Sequence, residues 1–312
     1  EARGNHKPLL YQEADVRRAL ALWREIDYRQ TLELAGGLKV RALNAGHILG
    51  SAMFEFAHGG RKLVFTGDLG NSPSPLLADT EIVADADYLV MESVYGDRNH
   101  ESRAIVRDRL EDVIENTMRR RGTLLIPAFS IERTQELLFE IEQMMEYSRI
   151  PLVPVFLDSP LAIKVTGLYK KFDRFLKPDL GELAILRDGL FQFPQLHKTL
   201  TTEESKSIAG WAGPKIIIAG SGMSNGGRIL HHEKAYLSDP ATTLLLAGYQ
   251  AAGSLGRRLQ DGEKTVTILG ETLPMRAKVV NLSGYSAHKG SDELLDFVAR
   301  SADCLQQVWV TM

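Results

Sequence analysis

Four polar residues in this sequence each close an apolar run: His47 in Ala-Gly-His-Ile-Leu-Gly-Ser-Ala, Asp68 in Phe-Thr-Gly-Asp-Leu-Gly, Glu92 in Met-Glu-Ser-Val-Tyr-Gly-Asp, and His288 in Gly-Tyr-Ser-Ala-His. Strands make a rigid shelf, and the turns after them can aim several side chains into one cleft. Imidazoles and carboxylates suit zinc, and a carboxylate such as Asp68 can bridge two ions. A divalent ion held this way ionises water near neutral pH, and a pair can clamp the attacking and departing oxygens of a phosphodiester. Singly, each residue says little. A histidine after a strand is more often a hydrogen-bonded structural residue, and Thr-Gly-Asp is often only a turn. The four together point to a metallohydrolase cleft.

The elements that must position them can be read from periodicity. Residues 13–35 read as a helix, apolar at Val16, Leu20, Leu22, Trp23 and Ile26 and stopped by Gly36-Gly37. Strand patterns follow at 38–44, 52–57 and 61–66, the last two joined by the hairpin signal His58-Gly59-Gly60, and Tyr88–Met91 delivers Glu92. From about residue 100 the pattern alternates: helices at 101–120, 131–147, 160–175 and 226–237, strands at 123–126, 152–157, 215–219 and 242–247. Such alternation implies a parallel sheet with helices on both faces, and the continuous apolar runs Thr-Leu-Leu-Ile and Lys-Ile-Ile-Ile-Ala suit strands buried on both sides. Residues 176–202 are the least regular stretch. Strands at 264–269 and 276–282 and a helix at 290–300 complete the α/β reading.

A second constellation, Gly220-Ser221-Gly222-Met223-Ser224-Asn225-Gly226-Gly227-Arg228, lies between a buried strand and a helix. Glycines let a backbone approach an anion, and a helix N-terminus offers free N–H groups to it. The string lacks the Lys-Ser/Thr ending of a nucleotide loop and does not match the dinucleotide fingerprint. It reads as a phosphate cradle or as a capped glycine turn. Arg133 opens the next candidate helix and can fork two phosphate oxygens or pair with Glu136 or Glu140. His231 and His232 are adjacent on a helix, point apart and cannot chelate one ion together. Arg119-Arg120-Arg121 ends a helix, where cations complement the macrodipole.

Composition sets bounds. With 44% hydrophobic residues in 312, the chain can bury a large core and about two domains. A net charge of −3 gives no global attraction for polyanions, so a nucleic-acid partner would need a local basic groove or metal charge. The single cysteine, Cys304, excludes an internal disulfide and a thiolate metal cluster and suits a reducing, cytoplasmic compartment. No apolar run is long enough to span a bilayer, so no membrane partner is expected.

Five stretches carry a family resemblance: residues 44–52, 64–70, 92–98, 218–229 and 283–288, supported by Pro127-Ala-Phe with Arg133-Thr-Gln-Glu-Leu-Leu and by Phe156-Leu-Asp-Ser-Pro-Leu-Ala. Together they resemble the β-CASP branch of the metallo-β-lactamase superfamily, zinc nucleases of RNA processing that include the cleavage-and-polyadenylation endonuclease subunit. The resemblance implies an αββα metallo-β-lactamase sandwich that opens with residues 1–98, a β-CASP insertion at 99–275 and a return to the hydrolase layer at 276–312. It implies two zinc ions, with His47 a ligand and Asp68 a bridge, and a catalytic set of Asp68, Glu92 and His288. In that set Glu92 orients His288, which protonates the departing ribose oxygen. It further implies RNA-phosphate contacts from Ser221, Gly222, Ser224, Gly226 and Arg133, single-stranded RNA as substrate, and a homodimer as a further expectation.

The family's His-x-His-x-Asp-His metal motif has no counterpart in these residues. Asn5–Tyr11 resembles the segment after that motif, and Gln307–Met312 the strand before the last ligand's turn. The expectation is therefore an incomplete ligand set, truncated at both ends, and a chain inactive as it stands. Two other readings stay open: a noncatalytic RNA- or partner-binding β-CASP subunit, and a small-molecule metallohydrolase, against which the long βα insertion argues.

Overall fold

The computed structural model describes residues 10–180 and 189–311. A first, mixed sheet has the order β1-β2-β3-β4-β5-β14, from strands Thr31–Glu33, Lys39–Asn44, Ala52–His58, Arg61–Phe65, Tyr88–Glu92 and Gln307–Thr311. The expected hairpin is present: His58 pairs with Arg61 across Gly59-Gly60, whose φ values of 58° and 75° suit the primed turn that matches strand twist. Because β2 and β4 both run antiparallel to β3, and β5 and β14 run parallel to β4, the carboxyl ends of β2, β4 and β5 emerge at one edge. That edge is where His47, Asp68 and Glu92 sit.

The second sheet has the order β13-β10-β6-β9-β7-β8 and every pairing in it is parallel. Its strands are β6 Thr123–Pro127, β7 Val155–Leu157, β8 Leu196–Lys198, β9 Lys215–Ala219, β10 Thr243–Leu246 and β13 Lys278–Asn281; β11 Thr265–Ile268 and β12 Glu271–Pro274 form a separate hairpin. Both faces are covered, as the apolar runs require. Leu124, Ile126, Ile216 and Ile218 pack with helices Arg103–Arg119, Arg133–Glu146 and Pro160–Lys171 on one side. Leu125, Ile217, Leu244 and Leu246 pack toward helices Ile229–Tyr236 and Leu255–Gln260 on the other. Each such buried Leu or Ile contributes about 1.5–3 kcal/mol. A third cluster, around Met53, Val64 and Leu89, joins the first sheet to helix Ser291–Ala299 through Leu294 and Phe297.

Several expectations shift. The helix expected over 13–35 ends at Ala21, and the chain passes through β1 and a 3-10 turn at Ala35–Gly37 before β2. None of its residues is buried, with Leu22 77% and Trp23 74% exposed, so no packing extends a helix too short to persist on propensity alone. The irregular 176–202 contains β8, an edge strand, while residues 181–188 lie outside the described residues. The expected boundary at 275/276 falls ahead of β13. That strand pairs with β10, so the second sheet runs on to Asn281 before the chain returns to the first layer.

The two layers meet where the loop after β4 touches the segment after β13. Gly70 N–H donates to Ala45 O at 2.8 Å, and a Cβ on Gly70 would lie 2.0 Å from Gly46 O. We expect Gly70→Ala to cost about 3 kcal/mol or more in urea unfolding, by forcing backbone apart. Gly167, inside an exposed stretch of helix with open space around its Cα, should give the opposite sign, Gly167→Ala stabilising by about 0.5–1 kcal/mol. Equal midpoints for Gly70→Ala and the parent would contradict this close packing of the loops after β2 and β4.

Candidate active site

His47 follows β2 on a loop in which Ser51 Oγ accepts from its own N–H at 3.1 Å. Its Nδ1 donates to Ala287 O at 3.2 Å, which leaves the lone pair on Nε2, 3.7 Å from Asp68 Oδ2. Burial, and then the neighbouring His288, lower the pKa of His47, partly opposed by Asp68, so its neutral, ligating form is favoured. His288 stands with its ring centroid 4.5 Å from that of His47. Its Nδ1 donates to the Glu92 carboxylate at 3.0 and 3.1 Å, leaving Nε2 for the cleft. Glu92, the last residue of β5 and 4% exposed, also accepts from Leu69 N–H. The ligand atoms of His47, Asp68 and His288 all lie within 4.8 Å of one another. Residues more than two hundred positions apart in the chain therefore meet at one edge, with the His288 imidazole beside His47 and Asp68.

Backbone holds this arrangement. Asn71 N–H donates to Ala287 O at 2.7 Å, Lys289 N–H to Leu69 O at 3.0 Å, and Asn71 Nδ2 to Ser286 O at 3.0 Å. His100, to which the sequence gives no role, donates from Nε2 to the carbonyl of His288 at 2.9 Å. Behind this segment the Tyr285 hydroxyl donates to buried Glu140.

The cleft beside these groups has a volume of about 320 Å³. Its walls come from the loop after β6 (Phe129, Ile131, Glu132), the loop after β9 (Met223), the turn after β10 (Ala247–Tyr249) and the segment after β13. All follow carboxyl ends of parallel strands, the usual ligand crevice of such sheets. His47, Ile48 and Val94 close it from the first sheet.

The expected phosphate contacts divide. Ser221 and Gly226 are half-buried, with Asn225 N–H donating to Ser221 Oγ at 3.0 Å and Ser221 N–H to Gly226 O at 3.0 Å. Ser224 is 1% exposed, and its hydroxyl donates inward to Glu233. Gly222 packs on Phe129, where a Cβ would lie 2.8 Å from the ring. Arg133 borders the cleft, yet its guanidinium is buried against Glu136 and over the Tyr285 ring, the ion-pair alternative open from sequence. His232 is buried against Asp158 at 2.7 Å. Asp158, in a stretch that the family resemblance marks without giving it a role, is a hub. Burial opposes its ionisation, but bonds from His232, Ser205, Thr199 and Arg228 outweigh it and hold the carboxyl below the ordinary range.

With the geometry in view, comparison with known proteins decides the family. Residues 134–259 match the Beta-Casp domain. The chain is 40% identical over 285 residues to Ribonuclease TTHA0252 of Thermus thermophilus, covering 91% of this chain and 65% of that protein. It is 32% identical over 295 residues to an RNase J-like protein of Methanocaldococcus jannaschii, covering 93% and 67%. It is 33% identical over 306 residues to Transcription termination factor FttA of Methanosarcina mazei, covering 94% of this chain and 48% of that one. The chain belongs to the β-CASP family of the metallo-β-lactamase superfamily. It spans about half to two thirds of the length of these β-CASP relatives. No helix among the described residues is long and apolar enough to cross a membrane.

The loop after β9 generates a pH prediction. Burial, only partly offset by Ser224, pushes the Glu233 carboxyl up from 4.5 to about 8. Between those values the folded chain holds a proton that the unfolded chain has released, so stability falls as pH rises through this window and levels above it. The slope is at most about 1.4 kcal/mol per pH unit for one such group. Melting temperatures from pH 5 to 8 should therefore decline more steeply for the parent than for Glu233→Gln; parallel curves would show that Glu233 is ionised in the fold.

Proposed function

We propose that this chain carries the catalytic cleft of a zinc-dependent ribonuclease that hydrolyses RNA phosphodiester bonds in RNA processing or decay. The observation that carries this reading is the convergence of His47, Asp68 and His288, with Glu92 buried behind His288. The donor set tests well for one divalent ion. His47 has its Nδ1 occupied by a carbonyl, the outer partner that fixes a ligating imidazole, and the Asp68 side chain is 60% exposed and open to coordination. Bound there, zinc would polarise a phosphoryl oxygen and lower the pKa of water.

The chain's own residues do the rest. His47 Nε2 and the Asp68 carboxylate would hold the cation. His288, its Nδ1 fixed by Glu92, presents Nε2–H to the departing ribose oxygen and transfers the proton as the P–O bond breaks. Ser221 and Gly226, on the accessible side of the loop, contact backbone phosphates, while Gly222 and Ser224 brace that loop from within. The named ribonuclease relatives support RNA as the substrate class. Single strands fit a cleft entered between two layers, and a homodimer and cytoplasmic location belong to the same proposal.

With His288 kept for the proton, the described residues leave His47 and Asp68 to hold metal, fewer donors than two zinc ions require. These 312 residues assayed by themselves are thus expected to bind well under two zinc ions per chain and to cut slowly. Metal analysis near two per chain would refute that.

In the protein containing these residues, His288→Ala should lower turnover by about 10²–10⁴-fold with zinc content and RNA affinity nearly unchanged. A matching loss of zinc would make His288 a ligand instead of the proton donor. Asp68→Ala should lose both metal and activity.

A further inference from the structure

Glu132 is out of place by every local rule. It is 2% exposed, and its φ of 60° and ψ of −62° are those of a glycine-favouring turn, with Arg133 N–H donating to Ile131 O at 2.8 Å. Helix Arg133–Glu146 begins directly after it, without a side-chain cap from Glu132. One carboxyl oxygen, Oε2, accepts from the Tyr169 hydroxyl. The other, Oε1, is buried without a partner, and the residue borders the cleft. A glycine would relieve the backbone, and an apolar side chain would end the unmet polarity. Strain and an unpaired polar atom retained together beside a cleft mark a group kept for a ligand.

The remaining walls say what that ligand is. Phe129 is 47% exposed and Tyr249 45% exposed, both on the cleft, which Ile131 and Met223 also line. Exposed aromatic rings beside a polar group set apart from the His47 and His288 side of the cleft are the chemistry of a stacked, edge-read base. A phosphate would need cations, and the one guanidinium at this wall, Arg133, is engaged by Glu136.

We propose that the cleft seats a nucleobase of the bound RNA, stacked on Phe129 and Tyr249 and read along its edge by Glu132 Oε1. This rests on the RNA reading above and adds base discrimination to it. Burial, and then the charge of Glu136, push the Glu132 carboxyl up to about 8, so near neutral pH it carries a proton. With Tyr169 donating to Oε2, that proton sits on Oε1 and is offered to a ring nitrogen or carbonyl of the base. Glutamine can make the same donation.

The test is binding of four labelled single-stranded homopolymers, oligo-A, -C, -G and -U, by the 312-residue chain, read by fluorescence anisotropy. The parent should separate its best and worst homopolymer by about tenfold or more. Glu132→Gly suits the local backbone and keeps the fold, and should bring that ratio close to one. Glu132→Gln should retain it within about threefold. Tyr249→Ala, at the exposed rim, should weaken all four by about tenfold. A parent without preference, or a Glu132→Gly chain that keeps the parent's ratio or loses equally for all four, overturns the proposal. So does a Glu132→Gly effect seen only as a changed RNA-to-DNA ratio, equal for every base, since that assigns Oε1 to the ribose. No binding of any homopolymer by the parent would instead sink the RNA reading itself.

Discussion

The Glu92 carboxylate is the point through which the two layers of this molecule become one site. It is buried at the end of β5, and it takes Leu69 N–H from the loop after β4 and His288 Nδ1 from the segment after β13. A buried carboxylate deprived of such partners costs several kcal/mol, so the bonds that satisfy Glu92 also dictate where the two loops lie. The adjoining backbone bonds, Gly70 to Ala45, Asn71 to Ala287 and Lys289 to Leu69, turn that local requirement into a small ladder. His47 then needs only the Ala287 carbonyl to fall into register with Asp68 and His288. No Cβ can be accommodated at Gly70, so the closeness of the ladder is built from backbone alone.

Strand direction explains why these pieces can meet. The strands that end at the site run one way within each sheet, and their carboxyl ends open toward the same cleft. In the second sheet this follows from parallel pairing, which places helices on both faces and leaves only loops at the strand ends. Loops after β6, β9, β10 and β13 are thus free to vary in chemistry while the apolar strands beneath them stay fixed. Phe129 illustrates the economy of the arrangement: it follows β6, fills the space that Gly222 leaves open after β9, and still presents part of its ring to the cleft.

Much of this was legible in the residues because the signals were local. Continuous apolar runs named β6 and β9 as doubly buried, paired glycines named the β3–β4 turn, and polar residues closing apolar runs named the site. What failed to show depended on partners distant in sequence. The helix at 13–35 had the right periodicity but no surface to pack on. Ser224 had the right type for phosphate, and only the packing of the next helix brings Glu233 to turn it inward, while Arg133 left two readings open and the fold takes the pair with Glu136. Asp158 and His232 are 74 positions apart and give no sign in sequence of being one network. Glu132 was hidden for a different reason. Its neighbours Ile131 and Arg133 read as a helix start, and nothing in residue type announces a positive φ outside glycine, asparagine and aspartate.

The buried charges under the cleft constrain how a polyanion could be held. Arg103 pairs with Glu136 at 2.8 Å, Arg133 pairs with the same carboxylate, and both guanidiniums lie over the Tyr285 ring. Pulling either arginine out to meet a phosphate would strand part of that carboxylate in a low-dielectric interior, so these cations serve the wall and not the ligand. With a net charge of −3, the chain has no surplus positive field to draw nucleic acid in. On the reading proposed above, attraction at this end of the cleft would fall to a divalent ion held by His47 and Asp68. Metal occupancy and affinity for a phosphate backbone would then be linked quantities, because that ion would be the positive charge a phosphate meets there. The proposed base seat fits such a site: Phe129, Tyr249 and a protonated Glu132 would add contacts to a base without adding negative charge beside that ion.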